Sequence, residues 1–223
     1  MTGATMPVDQ RRSDPWSRSV RFMILVVALG SIAIAVLAAE LGSRGPAALH
    51  GVAADSEPAA PDFTLTDQQG QPFHLSSARG NVVLLVFGYT DCPDACPLTL
   101  ATWARARVRL AADAKRVRFV FISVDPLRDS PERIGRYLAQ FGPAFVGLTG
   151  SSADIEGTVI AYGAFARVER ASRDGPAVIA HSEATFLIDA AGRIVEAFPN
   201  GASAEDIAGD VKTVLGRGAH RTH

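Results

Sequence analysis

The segment NVVLLVFGYT, residues 81–90, limits the fold more than any other part of the sequence. It is a nearly continuous run of apolar and β-branched residues, which is typical of a central strand buried on both faces. A second run of this kind, VRFVFISVD, lies at 117–125, and residues 97–114 between the two runs have helical spacing. Strand, helix and strand in succession predict an α/β domain with layers packed around one sheet.

The rest of the domain continues this alternation. A hairpin is predicted over 61–80 with its turn at Gln69-Gly70, and a second pair of strands over 181–198 with its turn at Ala191-Gly192. The other predicted elements are a helix over 130–142 that Ser130 caps, a strand over 145–150, a helix over 151–163 and a final helix over 203–217. Together they predict a three-layer α/β sandwich with an N-terminal hairpin.

An uncharged run, residues 22–39, precedes the domain and is about the length that a helix needs to cross a bilayer. The arginines close to it are Arg11, Arg12, Arg18 and Arg21 before the run and Arg44 after it. Because positive charge concentrates on the cytoplasmic side, residues 1–21 are expected in the cytoplasm and the domain outside it. The sequence therefore predicts a single transmembrane anchor at 22–39.

A cleaved signal peptide is the alternative to an anchor. The run at 22–39 is longer than the usual apolar region of a signal peptide, which favours the anchor. Small residues at Ala38 and Ala39 are nevertheless compatible with cleavage. The two interpretations differ in whether the mature domain remains tethered to the membrane.

Composition divides the rest of the chain. Residues 40–60 are rich in Ala, Gly and Pro without periodicity, so they are predicted to form a flexible linker, which includes His50. The domain is expected to span 61–217, followed by a polar tail at 218–223. The formal net charge is −1 at pH 7 and the domain has no basic run, which argues against nucleic acid as a partner.

The two cysteines of the chain, Cys92 and Cys96, directly follow the predicted central strand. Open α/β sheets place their sites at the carboxyl ends of strands. Pro97 disfavours helical geometry at the residue before it, so a helix is predicted to begin at Pro97. A turn at Pro93-Asp94 folds Cys92 back toward Cys96. Both sulfurs then lie at a helix N-terminus, whose partial positive charge favours the thiolate.

A plain structural disulfide is one interpretation of this pair, and an oxidising compartment would permit it. Closing so short a loop would stabilise the fold by only about 2 kcal/mol in the chain-entropy model. A permanent disulfide contributes more where it joins distant segments. The spacing therefore favours a reversible redox pair or a metal site, because the thiolate is the reactive form in both.

His181 is a third candidate for the same site. It stands 85 positions after Cys96, so only the fold can bring the two together. The alternative is a histidine that caps the following strand or faces solvent. Two thiolates and a neutral imidazole form a soft ligand set that suits Cu(I) and can also hold Cu(II). Zinc prefers four ligands in a closed structural site, and no fourth is evident. The methionines cannot supply one from the domain, since they are Met1, Met6 and Met23.

Three motifs, in this order and spacing, resemble the Sco/SenC family: FGYTDCPDACP at 87–97, SVDPLRDSPE at 123–132, and the His181-Ser182 step before FLIDAAGRIV. Members of this family are membrane-tethered, thioredoxin-like copper proteins of cytochrome c oxidase assembly. The resemblance covers 61–217, essentially the whole predicted domain, and it implies a thioredoxin-like fold.

The resemblance also implies roles for single residues. Cys92, Cys96 and His181 correspond to the copper ligands of the family. Asp125 corresponds to an acidic residue near the site, and formation of a turn with Pro126 is the alternative role for it.

The sequence departs from the family pattern at two positions. Asp91 stands where the family often has His, and Ala180 stands where Asp often precedes the ligand histidine. Loss of that Asp is expected to weaken the orientation of the imidazole, and with it the affinity for copper. Asp129 and Ser130 are interpreted more simply, as capping residues of the following helix.

The resemblance implies a metallochaperone that binds Cu(I) or Cu(II) and passes copper to the binuclear copper centre of a cytochrome c oxidase subunit. Its thiols must be reduced before loading, because a disulfide offers no thiolate. A periplasmic copper donor and a thiol reductant are the further expected partners. The expected location is the cytoplasmic membrane, with the domain on the periplasmic side.

The alternative function is a thiol-disulfide oxidoreductase that keeps the oxidase's copper-binding cysteines reduced, through exchange at Cys92 and Cys96. Against it, the motif is C-x-x-x-C rather than C-x-x-C, and no proline stands just before TFLID, where thioredoxins carry a cis-proline. A peroxidase is disfavoured, because no arginine is evidently placed to activate Cys92. The two leading functions are not mutually exclusive.

Overall fold

The structure is a computed structural model, and the residues it describes are 15–42, 49–54, 56–170 and 178–220. The chain divides into two compact units, Met1–Ala47 and Ala48–His223. Parts of three predicted segments lie outside the described residues: the N-terminal segment before residue 15, the linker between 43 and 48, and the tail after residue 220.

The first unit contains helix α1, Pro15–Gly42, which includes the predicted membrane span at 22–39. Its described side chains are exposed, among them Phe22 at 71% and Ile34 at 70%. In the part of the chain whose side chains are described, no helix is long and apolar enough to cross a membrane. The predicted transmembrane helix is therefore not confirmed.

The second unit is built on a mixed sheet. Its strands are β1 (Val52–Ala53), β2 (Thr64–Asp67), β3 (Pro72–His74), β4 (Val82–Gly88), β5 (Val117–Ser123), β6 (Phe145–Thr149), β7 (Ala166–Arg170), β8 (Val178–His181), β9 (Thr185–Ile188) and β10 (Ile194–Phe198). Within the described residues, eight of them form one sheet in the order β1-β10-β9-β4-β5-β6-β2-β3. The central strands β4, β5 and β6 are parallel, and their neighbours β9 and β2 are antiparallel to them.

Helices cover both faces of this sheet. They are α2 (Ala95–Leu110), α3 (Pro131–Ala139), α4 (Ser152–Ala161) and α5 (Ala204–His220), with 3-10 turns at Leu75–Ala78 and Ala111–Arg116. Apolar side chains of α2, α3 and α5 form one core with the sheet, and those of α4 belong to a second core. This arrangement confirms the predicted three-layer α/β sandwich.

Strand β4 shows how the two cores share one strand. Its residues alternate between the two cores. Val82, Leu84 and Val86 lie in the core that α2, α3 and α5 form with the sheet, and Val83, Leu85 and Phe87 lie in the core that contains α4. Every residue of the strand is buried. Each large apolar side chain removed from water stabilises the fold by about 1.5–3 kcal/mol. The prediction of a central strand buried on both faces is confirmed.

The predicted N-terminal hairpin is confirmed as β2 and β3. Asp67 fixes its turn, because its Oδ1 accepts hydrogen bonds from the backbone N–H groups of Gln69 and Gln71 at 2.9 and 2.8 Å. Gly70 has a φ of +76°, a left-handed conformation that a residue without a Cβ adopts readily. The turn therefore lies where the sequence predicts it.

The ends of helices α3 and α5 differ from the predicted ones. Helix α3 begins as expected, with Ser130 as the N-cap whose hydroxyl accepts from the N–H of Arg133 at 3.3 Å. It ends at Ala139, earlier than the predicted end at Gly142. Helix α5 continues to His220, inside the segment predicted as a tail.

The pair β7–β8 is an element that the sequence analysis does not predict. Its strands are antiparallel, with Ala166 opposite His181. The strands are five and four residues long, and the described side chains of β7 are exposed, so their sequences show little apolar alternation. His181, the first residue of the strand pair predicted over 181–198, is instead the last residue of β8.

The folded unit also begins earlier than the predicted domain. Strand β1, which falls in the segment predicted as a flexible linker, pairs with β10. The backbone N–H of His50 donates to Asp210 at 2.7 Å, and Ala59 forms a bridge with Arg193. The described residues of 49–60 are therefore part of the folded unit, because distant partners supply hydrogen bonds that composition does not reveal.

Candidate metal centre

Three side chains meet beyond the carboxyl end of β4. Cys92 lies on the loop that follows β4, Cys96 lies in the first turn of α2, and His181 ends β8. Their donor atoms all lie within 4.8 Å of one another. Where the structure describes the chain, this is the one group of three or more His, Cys, Asp or Glu side chains placed to hold a metal ion. The structure thus brings all three predicted ligands together.

Helix α2 begins at Ala95, two residues before the predicted start. Pro97 is tolerated there because the first N–H groups of a helix have no partner within it, so its missing donor loses nothing. The N–H of Cys96 donates to the sulfur of Cys92 at 3.4 Å. The side chain of Asp94, the N-cap, makes no capping bond. The sulfur of Cys92 therefore takes the capping position at this helix N-terminus.

Gly88 makes room for the thiol of Cys96. A Cβ at this position would lie 2.8 Å from Cys96 Sγ and 2.6 Å from Cε2 of Phe121, too close for non-bonded atoms. Cys96 is 5% exposed and its side chain belongs to the core of α2. The glycine that precedes YTDC in the sequence is thus required by the close approach of the sulfur.

The imidazole of His181 is held on both of its edges. Nε2 lies 3.7 Å from Cys96 Sγ, and Nδ1 lies 3.0 Å from the backbone carbonyl of Ser182. An N–H at Nδ1 would donate to that carbonyl, which leaves Nε2 as the lone-pair donor facing the sulfurs. The carbonyl thus offers an orienting contact in a chain where Ala180 replaces the aspartate of the family pattern.

Tyr89 is a residue of the site that sequence reasoning missed. Its ring meets the imidazole of His181 edge to face, with centroids 5.7 Å apart and an interplanar angle of 89°. Its hydroxyl accepts from the N–H of Ile179 at 3.4 Å, so it also supports β8. The sequence places Tyr89 at the end of the central strand. It could not place the ring beside His181, because β8 itself was not predicted.

Hydrogen bonding shifts the pKa values of the two thiols in opposite directions. The side chain of Cys96 is the main cause that lowers the pKa of Cys92 to about 4, and His181 lowers it further, while burial opposes both. Conversely, the hydrogen bond to Cys92 and then burial raise the pKa of Cys96. At neutral pH, Cys92 is therefore the thiolate and Cys96 carries its proton.

The pKa of His181 has opposing causes. Burial lowers it, but hydrogen bonds to Cys92 and to the carbonyl of Ser182 outweigh burial, and the net pKa is raised. The raised pKa reflects a thiolate close to the ring. A metal ion bound by the two sulfurs competes for the same nitrogen lone pair, so binding displaces protons from this site.

Asp125 follows β5, and its carboxylate and carbonyl oxygens bond to Arg128 and Asp129 rather than to the three ligands. Both of its carboxylate oxygens accept from Arg128 Nη1, at 2.9 and 2.8 Å. Its backbone carbonyl accepts from the N–H groups of Arg128 and Asp129, as in a turn. Among the described residues, no hydrogen bond or ion pair joins Asp125 to Cys92, Cys96 or His181. The geometry fits the turn interpretation, and a role beside the metal stays a prediction.

Asp129 is not the helix-capping residue that the sequence suggests. It is 1% exposed, and its carboxylate accepts from the N–H and hydroxyl of Thr90 at 2.9 and 2.5 Å. The hydroxyl of Ser123 donates to it at 2.5 Å. Capping is a local pattern, whereas Thr90 lies 39 positions away, so the sequence could not show this role.

Asp91, one of the two departures from the family pattern, forms an ion pair with Arg133 of α3. Arg133 also donates from Nε to the hydroxyl of Thr90 at 2.8 Å. In the sequence, Arg133 looks like an ordinary exposed helix residue, and no motif points to it. The structure places it beside the loop of Cys92.

The donor set fits a soft metal ion. Two sulfurs and one imidazole nitrogen are the ligands that Cu(I) favours, and the same set can hold Cu(II). A structural zinc site would need a fourth ligand. The sulfur of Cys92, on a partly exposed loop, gives an incoming ion or thiol access to the site.

Known proteins match the part of the chain that contains this centre. A family model described as SCO1/SenC matches residues 52–216. An SCO2-like protein of Rickettsia felis is 37% identical over 147 residues, which are 66% of this chain and 72% of that protein. The match to the family model begins at β1, inside the segment that composition suggests is a linker.

Solved structures share the fold. The structure of Bradyrhizobium japonicum ScoI with copper bound is 35% identical, has a TM-score of 0.65 and corresponds to 70% of this chain and 99% of that one. The solution structures of apo Sco1 from Thermus thermophilus give 34% identity and a TM-score of 0.67, over 74% of this chain and 96% of that one. The predicted thioredoxin-like α/β fold is confirmed by these likenesses.

Proposed function

Because this chain belongs to the SCO1/SenC family, we propose that it is a copper-binding protein of cytochrome c oxidase assembly, with Cys92, Cys96 and His181 as the ligands. The observation that carries the proposal is the convergence of their donor atoms within 4.8 Å. The copper bound in the solved ScoI of Bradyrhizobium japonicum, 35% identical over nearly all of that chain, supports the choice of metal.

Copper is the cargo of such a protein rather than a resident cofactor. Three ligands leave the ion open to attack by ligands of an acceptor, and Cys92 lies on a loop at the surface end of the site. We propose the binuclear copper centre of a cytochrome c oxidase subunit as the acceptor. A periplasmic copper donor and a thiol reductant would act before it, because only the dithiol form offers both sulfurs.

We propose that the domain is tethered to the cytoplasmic membrane and faces the periplasm. The support is the uncharged run at 22–39 and the arginines that precede it. Protease treatment of intact spheroplasts and, in a separate untreated sample, carbonate extraction of membranes test this placement. A tethered domain is cut from outside in the first sample and stays in the membrane fraction in the second, whereas an uncut domain found in the soluble fraction means that the anchor is cleaved or absent.

The experiment that tests copper binding compares ligand variants of the reduced full-length protein. His181→Ala is expected to weaken copper retention against a competing chelator by more than about 100-fold, since a lost ligand should exceed the effect of a lost outer contact. Cys92→Ser and Cys96→Ser are expected to abolish it. Glu205→Gln, at an exposed position of α5, is the control. If His181→Ala holds copper as tightly as the wild type, the three-ligand site is wrong.

A thiol-disulfide oxidoreductase is the second candidate, and the unequal pKa values of the two thiols favour it. The Cys92 thiolate would attack a substrate disulfide and release one thiolate. Deprotonated Cys96 would then attack the mixed disulfide and release the second. Two electrons pass to the substrate, a Cys92–Cys96 disulfide forms, and a thiol reductant must restore the dithiol.

Reduction of a model disulfide by the same variants separates the two candidates. Thiol exchange needs the sulfurs and not a metal ligand, so His181→Ala should leave it nearly unchanged while copper retention falls. If His181→Ala loses exchange activity as well, the imidazole is tuning the thiols and the oxidoreductase becomes the better proposal.

A further inference from the structure

The three ligands of the metal centre are not held equally. Cys96 is fixed in helix α2 and His181 in strand β8, so regular backbone hydrogen bonds position both. Cys92 lies on the loop between β4 and α2, where its N–H donates to the carbonyl of Tyr89 at 3.2 Å. That bond closes a turn whose two middle residues are Thr90 and Asp91. The position of the Cys92 sulfur therefore depends on what holds this turn.

The two middle residues of the turn, Thr90 and Asp91, are bound by Asp129 and Arg133, and we refer to these four residues as the α3 strap. Arg133 is the centre of the strap. Its Nε donates to the Thr90 hydroxyl at 2.8 Å, and its guanidinium pairs with Asp91. The same Nε lies 3.5 Å from Asp129 Oδ1. One side chain from α3 thus contacts both middle residues of the turn and Asp129, the buried partner of Thr90.

Burial differs along the strap. The Asp129 side chain is 2% exposed and is also fixed by the hydroxyl of Ser123, so it is an inner anchor. The side chains of Arg133 and Asp91 are 39% and 30% exposed. A partly exposed charge pair contributes little to global stability. Arg133 can still restrict one turn, because its bonds to Asp91 and to the Thr90 hydroxyl are charge-assisted and have defined directions.

We propose that Arg133 and Asp91 are positioning residues that hold the Cys92 sulfur in the metal centre and set the rate at which copper leaves. This inference rests on the proposed copper-binding function. Cys92 is the ligand whose backbone lies outside the helices and strands, so it is the ligand that opens first when copper is handed over, and its sulfur then gives up the bond from the N–H of Cys96. The strap controls that opening, and Asp91 takes part in it where the family often has a histidine.

Variants of the full-length protein test the strap. In Arg133→Gln and in Asp91→Asn, the loss of copper from the reduced, loaded protein to excess chelator should become about 10-fold faster, as for other contacts that orient metal ligands. The double variant should be no faster than Arg133→Gln alone, because the loss of Arg133 already removes the pair that Asp91→Asn weakens. Arg133→Lys keeps the charge but replaces the two guanidinium nitrogens that bind Thr90 and Asp91 with a single ammonium nitrogen, so it should restore part of the wild-type rate.

Arg136→Gln is the matched control. Arg136 lies on the same helix and is exposed, and the structure shows no ion pair for it among the described residues. Its substitution removes the same charge from the same region, so a general electrostatic effect would alter both variants equally. The rate of copper loss should remain within about two-fold of the wild type.

A measurement without metal completes the test. Amide hydrogen exchange of the copper-free protein should show faster exchange at Thr90 and Cys92 in Arg133→Gln, while amides of β4 and the interior of α2 keep their protection. A purely structural role would instead lower protection throughout the domain. This readout is independent of copper, so it decides on the strap even if the wild type binds no copper and the proposed function fails.

Three outcomes overturn the proposal. The first is copper loss from Arg133→Gln at the wild-type rate, in a wild type that does retain copper. The second is an equal effect of Arg136→Gln, which would mean that only net charge matters. The third is unchanged exchange at Thr90 and Cys92, which would mean that the strap does not hold the turn.

Discussion

Two clusters of titratable side chains in the domain are built on different chemistry. One is the metal centre of Cys92, Cys96 and His181. The other, the carboxylate cluster, consists of Glu196 on β10, Asp210 on α5 and His50, with Glu196 0% and Asp210 1% exposed. Both lie against the apolar core, where an unpaired charge is unfavourable.

The carboxylate cluster uses its oxygens to hold backbone. Asp210 accepts from the N–H of His50 at 2.7 Å and contacts its ring nitrogen Nδ1 at 2.8 Å. Glu196 Oε2 accepts from the N–H of Gly51 at 2.9 Å. These bonds fix the segment that forms β1. In the described residues, Oε1 of Glu196 has no hydrogen-bond partner.

The difference shows what makes a buried polar cluster a candidate site. In the metal centre, the donors point at one another and share protons, so an ion can replace those protons. In the carboxylate cluster, the carboxylate oxygens accept hydrogen bonds from the backbone N–H groups of His50 and Gly51. Burial and perturbed pKa values occur in both, so these features alone do not identify the functional site.

The largest expected effect concerns the charge of the metal centre. With a pKa of about 4, Cys92 is a thiolate well below neutral pH. In the reduced, metal-free protein, the rate at which iodoacetamide alkylates Cys92 should change little between about pH 6 and pH 8. The rate for an ordinary thiol should rise roughly 70-fold over the same range. The measurement is the alkylation rate of Cys96→Ala and of the wild type, followed by mass spectrometry.

The wild type and Cys96→Ala are each the control for the other. Since the side chain of Cys96 is the main cause of the low pKa, Cys96→Ala should shift the alkylation profile toward higher pH. A wild-type profile with its midpoint near that of a free thiol would show that the metal centre holds no preformed thiolate. The contrast with the carboxylate cluster would then disappear.

The sequence predicted the parts of the fold and site whose causes are local. The apolar run of β4, the turn at Gly70 and the cap at Ser130 depend on neighbouring residues, so they could be recognised directly. The cysteine pair follows a strand of this kind, and His181 was a candidate whose role as a ligand the family resemblance implied. These elements were correct in type, although their ends shifted by a few residues.

The parts that were missed depend on partners far apart in the chain. His50 bonds to Asp210 across 160 positions, and Thr90 bonds to Asp129 across 39. No local pattern distinguishes such residues from a linker residue or a helix cap. Strand β8 was missed for a related reason, because its hydrogen bonds to β7 compensate for a sequence with weak apolar alternation.

The next effect concerns the anchoring role of the carboxylate cluster. Asp210→Ala leaves the N–H of His50 without its acceptor, so the free energy of unfolding should fall by about 2 kcal/mol, or roughly 30-fold in the equilibrium constant. Chemical denaturation of the full-length protein measures this change. Copper retention should be unaffected, because the cluster contributes no ligand.

Lys212→Ala, an exposed position on the same helix, is the matched control and should change stability by less than about 0.5 kcal/mol. Loss of copper binding in folded Asp210→Ala would mean that the two clusters are coupled. Unchanged stability would mean that the bonds to His50 do not hold the segment.

The smallest effect concerns the proton of Glu196. Burial, and then the negative charge of Asp210, raise the pKa of Glu196 to about 7 from an ordinary value of 4.5. The folded protein therefore binds this proton more tightly than the unfolded chain does. The resulting stability is fully present below the unfolded value of about 4.5 and is lost as the pH rises through about 7.

Glu196→Gln removes that pH dependence, because the amide is neutral at every pH and its oxygen can still accept from the N–H of Gly51. We expect the free energy of unfolding to rise by about 1 kcal/mol at pH 8, and to change little at pH 5, where the wild-type carboxyl is already protonated. Urea denaturation at the two pH values, with Glu205→Gln as the exposed control, measures this difference. If Glu196→Gln destabilises the protein equally at pH 5 and pH 8, the carboxylate is ionised at both and is needed as an acceptor. Glu196 would then resemble Cys92, which is also held as an anion.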